Sequence, residues 1–419
     1  MPRSTDPQTL PLTKNVLKVR LNDVVVGTIT RLADDRTIFI FDETYATNTR
    51  RPTLSLSYKA IDGGLLTAPE VRNGRLPPFF SNLLPEGHLR QYLANKLDVK
   101  TQREFFLLAA LGDDLPGAVI IDRSPDLDFL VEDQDEADKD DAGDRLRFSL
   151  AGVQLKFSAI LESSGSLTIP VHGLGGDWIV KVPNKSLRRV PEVEYSMLLL
   201  AKEAGIVVPE FRLVTADAVN NLPLDIASDH GSSLAVKRFD RLSNGTRVHV
   251  EDFAQVFGIY PQKKYGKKNY DQIAEVIFAE AGADDLSEFV KRLVFTVAIG
   301  NGDMHLKNWS LLYREPVRPS LSPAYDLIPT ILYMEHDSLA LKLGNEARFN
   351  HVTVDNFKQL AARARAPERS VLIAVREATE GVRDAWKKLR HDLELSDQDV
   401  REISKHMDTL PLFRSDRQR

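Results

Sequence analysis

Three polar residues in two short breaks of an otherwise apolar region have the types and order needed for phosphoryl transfer. Asp303 and Asn308 lie five positions apart in NGDMHLKNWSLLY, residues 301–313, and Asp326 follows in LSPAYDLIPT. In phosphoryl transfer an Asp accepts the proton of the attacking hydroxyl, while an Asn and a second Asp hold magnesium against the phosphate oxygens. The spacing from Asp303 to Asn308 equals that of the protein-kinase catalytic loop. The pattern predicts a catalytic base, Asp303, and two magnesium ligands, Asn308 and Asp326.

A magnesium triphosphate site also needs a cation and exposed backbone N–H groups. Lys181 lies in the apolar strand pattern WIVKVP, much like the strand lysine of V-A-I-K. Upstream, SLAGVQLKFSAIL places Gly152 in a turn between two strand-like runs, where backbone N–H groups could meet phosphate oxygens. This turn is neither G-x-G-x-x-G nor a Walker A sequence. Each element alone could be an ordinary turn or edge strand, but their order along the chain favours a kinase-type layout.

The composition excludes several other classes of protein. The chain has 419 residues, of which 42% are apolar, and a formal net charge of -5, so no global basic field indicates nucleic-acid binding. It contains no cysteine, which excludes disulfides, thiolate metal sites and cysteine nucleophiles. No uncharged apolar run is long enough to span a bilayer, and the first residues lack the apolar core of a signal peptide. The sequence predicts a soluble cytoplasmic protein with no membrane contact.

The elements that must position these residues change in character along the chain. Alternating residues from 17 to 41, with turns at Asn22-Asp23 and Asp34-Asp35, predict a small antiparallel sheet. Thr101 and Glu104 form a capping-box pattern before the helix FFLLAAL. A crowded acidic run follows, and beyond it come a β-rich region and then a helical region. We predict an N-terminal subdomain at 1–121, an acidic linker at 122–146, a β-rich lobe at 147–245 and a helical lobe at 246–419.

The motifs SLAGVQLKFSAIL, DWIVKVP, VKRFDR, NGDMHLKNWSLL and LSPAYDLIPT, in this order, resemble the HipA family of bacterial serine/threonine-kinase toxins. NGRLPPFFSNLLPEG resembles the amino-terminal module of that family. The likeness covers nearly the whole chain. It implies an α+β fold, namely a protein-kinase-like bilobal fold with an extra N-terminal α+β subdomain.

The resemblance also implies roles for individual residues around ATP and Mg2+. It makes Asp303 the catalytic base, Asn308 and Asp326 the metal ligands, and Lys181 a phosphate contact. The remaining residues that it places at the nucleotide are Ala151, Gly152, Val153, Gln154 and Lys156 of a phosphate loop, Lys237, Arg238 and Phe239 beside adenine, Asp240 near the ribose, and His305, Lys307 and Tyr325. Ser149 matches a serine that is autophosphorylated in this family, and roughly two added negative charges there would repel the nucleotide.

The partners implied by the resemblance are proteins. They are a helix-turn-helix antitoxin of the HipB type and a protein substrate, plausibly an aminoacyl-tRNA synthetase such as glutamyl-tRNA synthetase. Operator DNA would be contacted only through the antitoxin complex. The segment YPQKKYGKKNY, residues 260–270, interleaves lysines with aromatic residues, as a nucleic-acid surface might, but a solvated loop between helices is favoured. In a kinase layout this segment could instead help to bind the protein substrate. Lys387, Lys388 and Arg390 form only a basic helix face.

Some features differ from ordinary protein kinases, and alternatives stay open. Asn301 stands where H-R-D has His, and Asp326 is followed by Leu-Ile instead of Phe-Gly. Both Glu192 and Glu194 are candidates for the glutamate that pairs with Lys181. The alternative functions are a non-catalytic kinase-like co-repressor scaffold and a small-molecule phosphotransferase of the aminoglycoside type, since GDMHLKN also fits the loop of antibiotic kinases.

Overall fold

The computed structural model describes residues 15–112, 114–123, 156–162, 166–169, 176–183, 187–215, 218–221, 231–335 and 337–414. Ser149, residues 151–154 and most of the predicted acidic linker lie outside the described residues. No helix in the described part of the chain is long and apolar enough to cross a membrane.

Residues 15–123 form an N-terminal module built on an antiparallel sheet. Its strands are β1 (Val16–Leu21), β2 (Val24–Arg31), β3 (Arg36–Phe41), β4 (Glu70–Asn73) and β5 (Val119–Arg123), in the spatial order β4-β3-β2-β1-β5. The predicted turns are confirmed, because Asn22 and Asp35 have backbone φ angles of 51° and 62°, and Asn and Asp tolerate this left-handed region well. The helices of the module are α1 (Glu43–Thr47), α2 (Pro78–Ser81), α3 (Gly87–Lys96) and α4 (Glu104–Leu111).

Helix α4 forms where the sequence predicts it, but the predicted capping box with Thr101 is wrong. The Glu104 carboxylate accepts hydrogen bonds from the backbone N–H of Leu76 at 2.9 Å and from Oγ of Ser81 at 3.0 Å. It also pairs with the Arg90 guanidinium at 2.9 Å. A buried carboxylate needs several donors, and these three come from tertiary packing. Glu104 therefore joins α2 and α3 to α4 instead of capping its own helix.

The β-rich lobe, which comprises the described residues from 156 to 245, contains the second sheet. Its strands are β6 (Lys156–Leu161), β7 (Leu167–Thr168), β8 (Trp178–Lys181), β9 (Phe211–Val214), β10 (Val219–Asn220) and β11 (Ser233–Lys237), in the order β10-β7-β6-β8-β11-β9. Helix α5 (Val190–Glu203) packs against β9 and β11. The predicted strand around Lys181 is confirmed, with that lysine as the last residue of β8.

The α-rich lobe, residues 246–414, is mainly helical, as the sequence predicts. Its helices are α6 (Phe253–Val256), α7 (Tyr270–Glu280), α8 (Ala283–Ile299), α9 (Val354–Ala364), α10 (Glu368–Leu389) and α11 (Asp397–Thr409). A small antiparallel sheet, β12 (His249–Asp252), β13 (Ser310–Tyr313) and β14 (Ser320–Leu321), lies at the entrance to this lobe. Helix α7 begins at a reciprocal capping box between Asn269 and Gln272, and α11 at one between Ser396 and Asp399.

The N-terminal module and the β-rich lobe share an apolar core, and the α-rich lobe has a separate one. One continuous core contains Leu17 and Phe80 of the N-terminal module together with Phe157 and Val180 of the β-rich lobe. Another lies inside the α-rich lobe around Phe289. The N-terminal module is therefore packed on the β-rich lobe through shared buried side chains, whose burial is the main favourable contribution to folding.

Glu251, at the end of the α-rich lobe nearest the N-terminal module, is a buried carboxylate without a cationic partner among the described residues. Its Oε2 accepts from Oγ of Ser55 at 2.6 Å, and its Oε1 accepts from the backbone N–H of Leu56 at 3.1 Å and the hydroxyl of Tyr313 at 2.5 Å. Burial raises the pKa of Glu251 to about 7, although these hydrogen bonds act in the opposite direction. Below about pH 7, Glu251 is therefore mostly protonated in the folded state.

We expect Glu251→Gln to change the pH dependence of stability. Between pH 4.5 and 7 the unfolded chain loses the Glu251 proton before the folded chain does, so the free energy of unfolding falls as pH rises. Protonation of Glu251 contributes about 3 kcal/mol to the free energy of unfolding. This contribution is fully present below pH 4.5 and is lost as pH rises through 7. Urea denaturation of the wild type and the variant at pH 5 and pH 8 would measure it.

The exposed Glu315→Gln variant serves as the control, because its side chain is solvated in both states. If Glu251→Gln and Glu315→Gln shift the pH profile of unfolding equally, Glu251 does not carry this contribution.

Candidate active site

The turn that carries Asp303 is shaped by the end of helix α8. Gly300 follows the helix with a left-handed φ of 67°, and a Cβ at this position would meet Ile331 at 2.7 Å. Asn301 comes next and is fully buried. Its Oδ1 accepts from the backbone N–H of Asp303 at 3.0 Å, and its Nδ2 donates to the backbone oxygen of Asp326 at 3.1 Å. One side-chain amide thus fixes both acidic turns relative to each other.

Asn301 is a positioning residue that sequence reasoning did not assign. The sequence showed only that it replaces the His of H-R-D. The available signal was a polar side chain immediately after a long apolar helix, where an amide can satisfy backbone groups in two loops at once.

Asp303 and Asn308 lie on the same short loop. The Nδ2 of Asn308 donates to the backbone oxygen of Asp303 at 2.8 Å, which leaves the Asn308 Oδ1 as the acceptor available to a cation. Between them, Leu306–Asn308 form one 3-10 turn that starts at His305, whose Nδ1 accepts from the backbone N–H of Lys307 at 3.2 Å. The Asp303 side chain is 53% exposed. Its carboxylate accepts a hydrogen bond from the hydroxyl of Tyr265.

Asp326 faces the same cleft and pairs with Lys181. Its backbone φ is 54°, a conformation that is uncommon outside glycine and concentrated at functional sites. The Lys181 ammonium contacts the Asp326 carboxylate and Oε1 of Glu194, the latter at 2.6 Å. Between the two glutamates that the sequence left open, Glu194 is therefore the partner of Lys181. The side chains of Lys181 and Glu194 are 6% and 1% exposed.

The pKa values follow from this burial and pairing. Burial alone would raise the pKa of Asp326, but the charge of Lys181 holds it well below its usual value. Burial alone would likewise lower the pKa of Lys181, and Asp326 and Glu194 instead raise it. The Asp303 side chain is about half exposed, but the surrounding cleft still removes part of its hydration, which raises its pKa. Burial together with the charge of Lys264 lowers the pKa of His305 to about 3. His305 is therefore a neutral imidazole near pH 7.

Lys156 carries a buried ammonium that has no hydrogen bond or ion pair with the residues described by the structure. It is the direct cross-strand neighbour of Lys181 and is 8% exposed. Burial lowers the pKa of Lys156, and Lys181 adds to this effect, while Asp326 opposes it. Two ammonium groups side by side are unfavourable without anions, and only Lys181 is neutralised by carboxylates. Lys156 is thus suited to bind an anionic ligand that enters the cleft.

Lys307, which the resemblance directs at a nucleotide, is held by the N-terminal module. Its ammonium donates to the backbone oxygen of Asn82 at 2.8 Å and to the side-chain Oδ1 of the same residue at 3.2 Å. Carboxylates of Glu86 and Asp252 lie 3.4 and 3.6 Å away. Lys264 also pairs with Glu86, at 2.9 Å. A contact between Lys307 and a nucleotide stays a prediction, and the observed partners belong to the protein itself.

The strand exit after β11 lines the same cleft, although two of its side chains are engaged elsewhere. The Arg238 guanidinium bonds to both oxygens of Asp240 at 2.9 Å and to Asp114 of the N-terminal module at 2.8 Å. Burial and Arg238 act in opposite directions on the pKa of Asp240, and it lies well below its usual value. A ribose contact for Asp240 stays a prediction, as does an adenine contact for Lys237, Arg238 and Phe239.

These residues line one cavity of about 640 Å³ between the N-terminal module and the two lobes. The Phe239 and Tyr325 rings lie 5.9 Å apart at one side of it, and the Tyr325 hydroxyl donates to the backbone oxygen of Lys307 at 2.9 Å. The cavity brings together all the sequence-predicted site residues that the structure describes. These are Lys156, Lys181, Lys237, Arg238, Phe239, Asp240, Asp303, His305, Lys307, Asn308, Tyr325 and Asp326.

The donor set fits a triphosphate nucleotide with magnesium. Lys156, which has no ion pair with the described part of the chain, and the paired Lys181 would contact phosphate oxygens, and Asn308 and Asp326 would hold the metal. No group of three or more His, Asp or Glu side chains within the described ranges could hold a metal ion by itself. Magnesium usually takes one or two carboxylates from the protein and completes its shell with phosphate oxygens and water, which Asn308 and Asp326 would allow.

Comparison with solved structures identifies the fold, and comparison with protein families identifies the family. The chain superimposes on the solved structure of the HipA toxin of Shewanella oneidensis MR-1, in complex with HipB and operator DNA, with a TM-score of 0.68 and 20% identity. The match covers 95% of this chain and 96% of that one. The fold is therefore the kinase-like α+β fold that the sequence predicts, with an additional N-terminal module.

Two family models match the chain: the HipA N-terminal domain at residues 17–122 and the HipA-like C-terminal domain at residues 148–386. The protein belongs to the HipA family. It is 48% identical over 402 residues to Y4dM of Sinorhizobium fredii, whose name assigns it provisionally to the kinases, covering 95% of this chain and 98% of that protein. It is also 23% identical over 366 residues to the serine/threonine-protein kinase toxin HipA of Shewanella oneidensis, covering 79% of each chain.

We expect Glu194→Ala to lower the free energy of unfolding by about 3 kcal/mol, because removing one partner leaves a buried charge incompletely compensated. The matched variant is Glu192→Ala, two positions away on the same helix, which does not pair with Lys181 and should change stability by less than about 0.5 kcal/mol. Chemical denaturation of both variants measures the difference. Equal effects would show that the Lys181–Glu194 pair does not stabilise the fold.

Proposed function

We propose that this chain is an ATP-dependent serine/threonine-protein kinase that acts as the toxin of a toxin-antitoxin pair. The observation that carries the proposal is the convergence of Lys181, Glu194 and Asp326 beside the Asp303 turn, with Asn301 bonded to both acidic turns. This arrangement supplies, in one cleft, a cation for phosphates, oxygen ligands for a metal and an accessible carboxylate.

The chemistry of the proposed reaction assigns a separate task to each side chain. The acceptor hydroxyl oxygen attacks the γ-phosphorus, its proton passes to a carboxylate oxygen of Asp303, and ADP leaves. Lys181 and Lys156 bind the phosphate oxygens, and magnesium held by Asn308 and Asp326 would neutralise part of the phosphate charge. Positioning and charge stabilisation account for most of the catalysis, because a loose phosphoryl transition state requires little covalent chemistry from the protein. The raised pKa of Asp303 favours its role as proton acceptor.

We expect Asp303→Asn to lower the rate of phosphoryl transfer by at least about a hundredfold while leaving MgATP binding nearly unchanged, because only proton transfer to this residue is lost. Transfer of labelled γ-phosphate to protein and calorimetric titration with MgATP measure the two quantities. Asp384→Asn, an exposed carboxylate on α10, is the control. Full activity in Asp303→Asn would reject Asp303 as the base.

A substrate panel distinguishes the proposed kinase from its alternatives. Phosphorylation of protein without modification of aminoglycosides supports the kinase. Modification of aminoglycosides alone supports a small-molecule phosphotransferase. MgATP binding without transfer to either class supports a non-catalytic scaffold. Phosphoproteomics of cells that briefly produce the protein would identify the substrate, for which an aminoacyl-tRNA synthetase such as glutamyl-tRNA synthetase is our candidate.

The toxin assignment rests on the family and on the HipB complex of the Shewanella protein. We expect the chain to arrest growth when produced alone, and production of a neighbouring helix-turn-helix protein to restore growth. The Asp303→Asn variant should not arrest growth. Equal growth with the wild type and Asp303→Asn would contradict a toxin that acts by phosphorylation. Within the same proposal, phosphorylation of Ser149 is inhibitory, so Ser149→Ala should retain activity after prolonged incubation with MgATP.

A further inference from the structure

Tyr265 lies between solvent and the carboxylate that we assign as the base. Its hydroxyl donates to Oδ1 of Asp303, and its ring packs edge-on against the His305 ring, with centroids 4.9 Å apart and planes at 84°. The residue is 47% exposed. Tyr265 thus satisfies at Asp303 the same hydrogen bond that an acceptor hydroxyl must make before its proton is transferred.

The segment that carries Tyr265 is fixed on one side and open on the other. On the amino-terminal side, Lys264 pairs with Glu86 at 2.9 Å, and its backbone oxygen accepts from the N–H of Leu306 at 3.4 Å. On the carboxyl-terminal side, Gly266 has a φ of 66°, and no atom lies within 4 Å of a Cβ built there. Because glycine has a wide range of allowed backbone angles and no neighbouring atom obstructs Gly266, the phenol ring has room to move outward without breaking the Lys264 anchor.

A protein serine or threonine and the Tyr265 hydroxyl cannot both donate to the same Asp303 oxygen in the same orientation. Asp303 and Tyr265 both line the cleft, and both side chains are partly exposed to solvent. An acceptor hydroxyl that donates to Oδ1 from the position of the Tyr265 hydroxyl must therefore displace the phenol.

We propose that Tyr265 occupies the acceptor-hydroxyl position of the cleft, and that residues 265–268 are the flap which a protein acceptor displaces when it binds. The inference rests on the proposed role of Asp303 as the base. It adds the location of the acceptor and identifies the element that limits access to the base.

The test uses the full-length chain with Tyr265→Phe, which removes the hydroxyl and keeps the ring against His305. We expect hydrolysis of MgATP by water, in the absence of any protein acceptor, to rise about tenfold, because a hydrogen bond to a charged carboxylate contributes a factor of this order. The KM for ATP should stay unchanged. Tyr333→Phe is the matched control, since Tyr333 lines the same cleft but its hydroxyl donates to the backbone oxygen of Arg188.

A second measurement does not depend on activity. If the phenol fastens the flap to Asp303, limited trypsin cleavage after Lys267 and Lys268 should be faster in Tyr265→Phe and in Asp303→Ala than in the wild type or Tyr333→Phe. Unchanged cleavage in both variants overturns the inference even if the protein hydrolyses no ATP. An active wild type whose hydrolysis falls or stays constant in Tyr265→Phe also overturns it. Faster cleavage without ATP hydrolysis in any variant retains the flap and rejects the kinase proposal.

Discussion

The buried ammonium of Lys181 is the group on which the geometry of the cleft depends. Its two carboxylate partners lie 13 and 145 residues further along the chain, on helix α5 and on the turn at Asp326. A buried charge without such partners would be strongly unfavourable, so burial of Lys181 favours the arrangement in which the strand, the helix and the turn meet. Asn301 adds a second connection from the Asp326 turn to the Asp303 turn. Lys181 therefore connects the β-rich side of the cleft to the turns that carry Asp303 and Asp326, which lie on its α-rich side.

The N-terminal module takes part in this arrangement. Asn82 and Glu86 bind Lys307 on the loop that follows Asp303, and Glu86 also binds Lys264 beside Tyr265. The module further shares an apolar core with the β-rich lobe. A displacement of residues 82–86 would leave the Lys307 ammonium with only the more distant Asp252 carboxylate. This coupling gives a physical reason why both family regions occur in one chain.

Elements whose stability is local were predicted well. The turns at Asn22 and Asp35, the strand that ends at Lys181 and helix α4 all form where composition and periodicity place them. The predicted capping box at Thr101 is wrong, because Glu104 finds better donors in Leu76, Ser81 and Arg90, which lie nearby only after folding. A local pattern cannot reveal such competition, since the competing partners are distant in sequence.

The residues that we propose for phosphoryl transfer could be named from the sequence alone, because Asp303, Asn308, Asp326 and Lys181 combine suitable side-chain chemistry with a specific order and spacing. The tertiary structure decided their partners. It selected Glu194 over Glu192, directed Lys307 toward Asn82 and Glu86, engaged Asp240 with Arg238, and placed Tyr265 on Asp303. Such choices depend on burial and on contacts between distant segments. The sequence determines the chemistry of each side chain, whereas the electrostatic environment of that side chain exists only once the chain has folded.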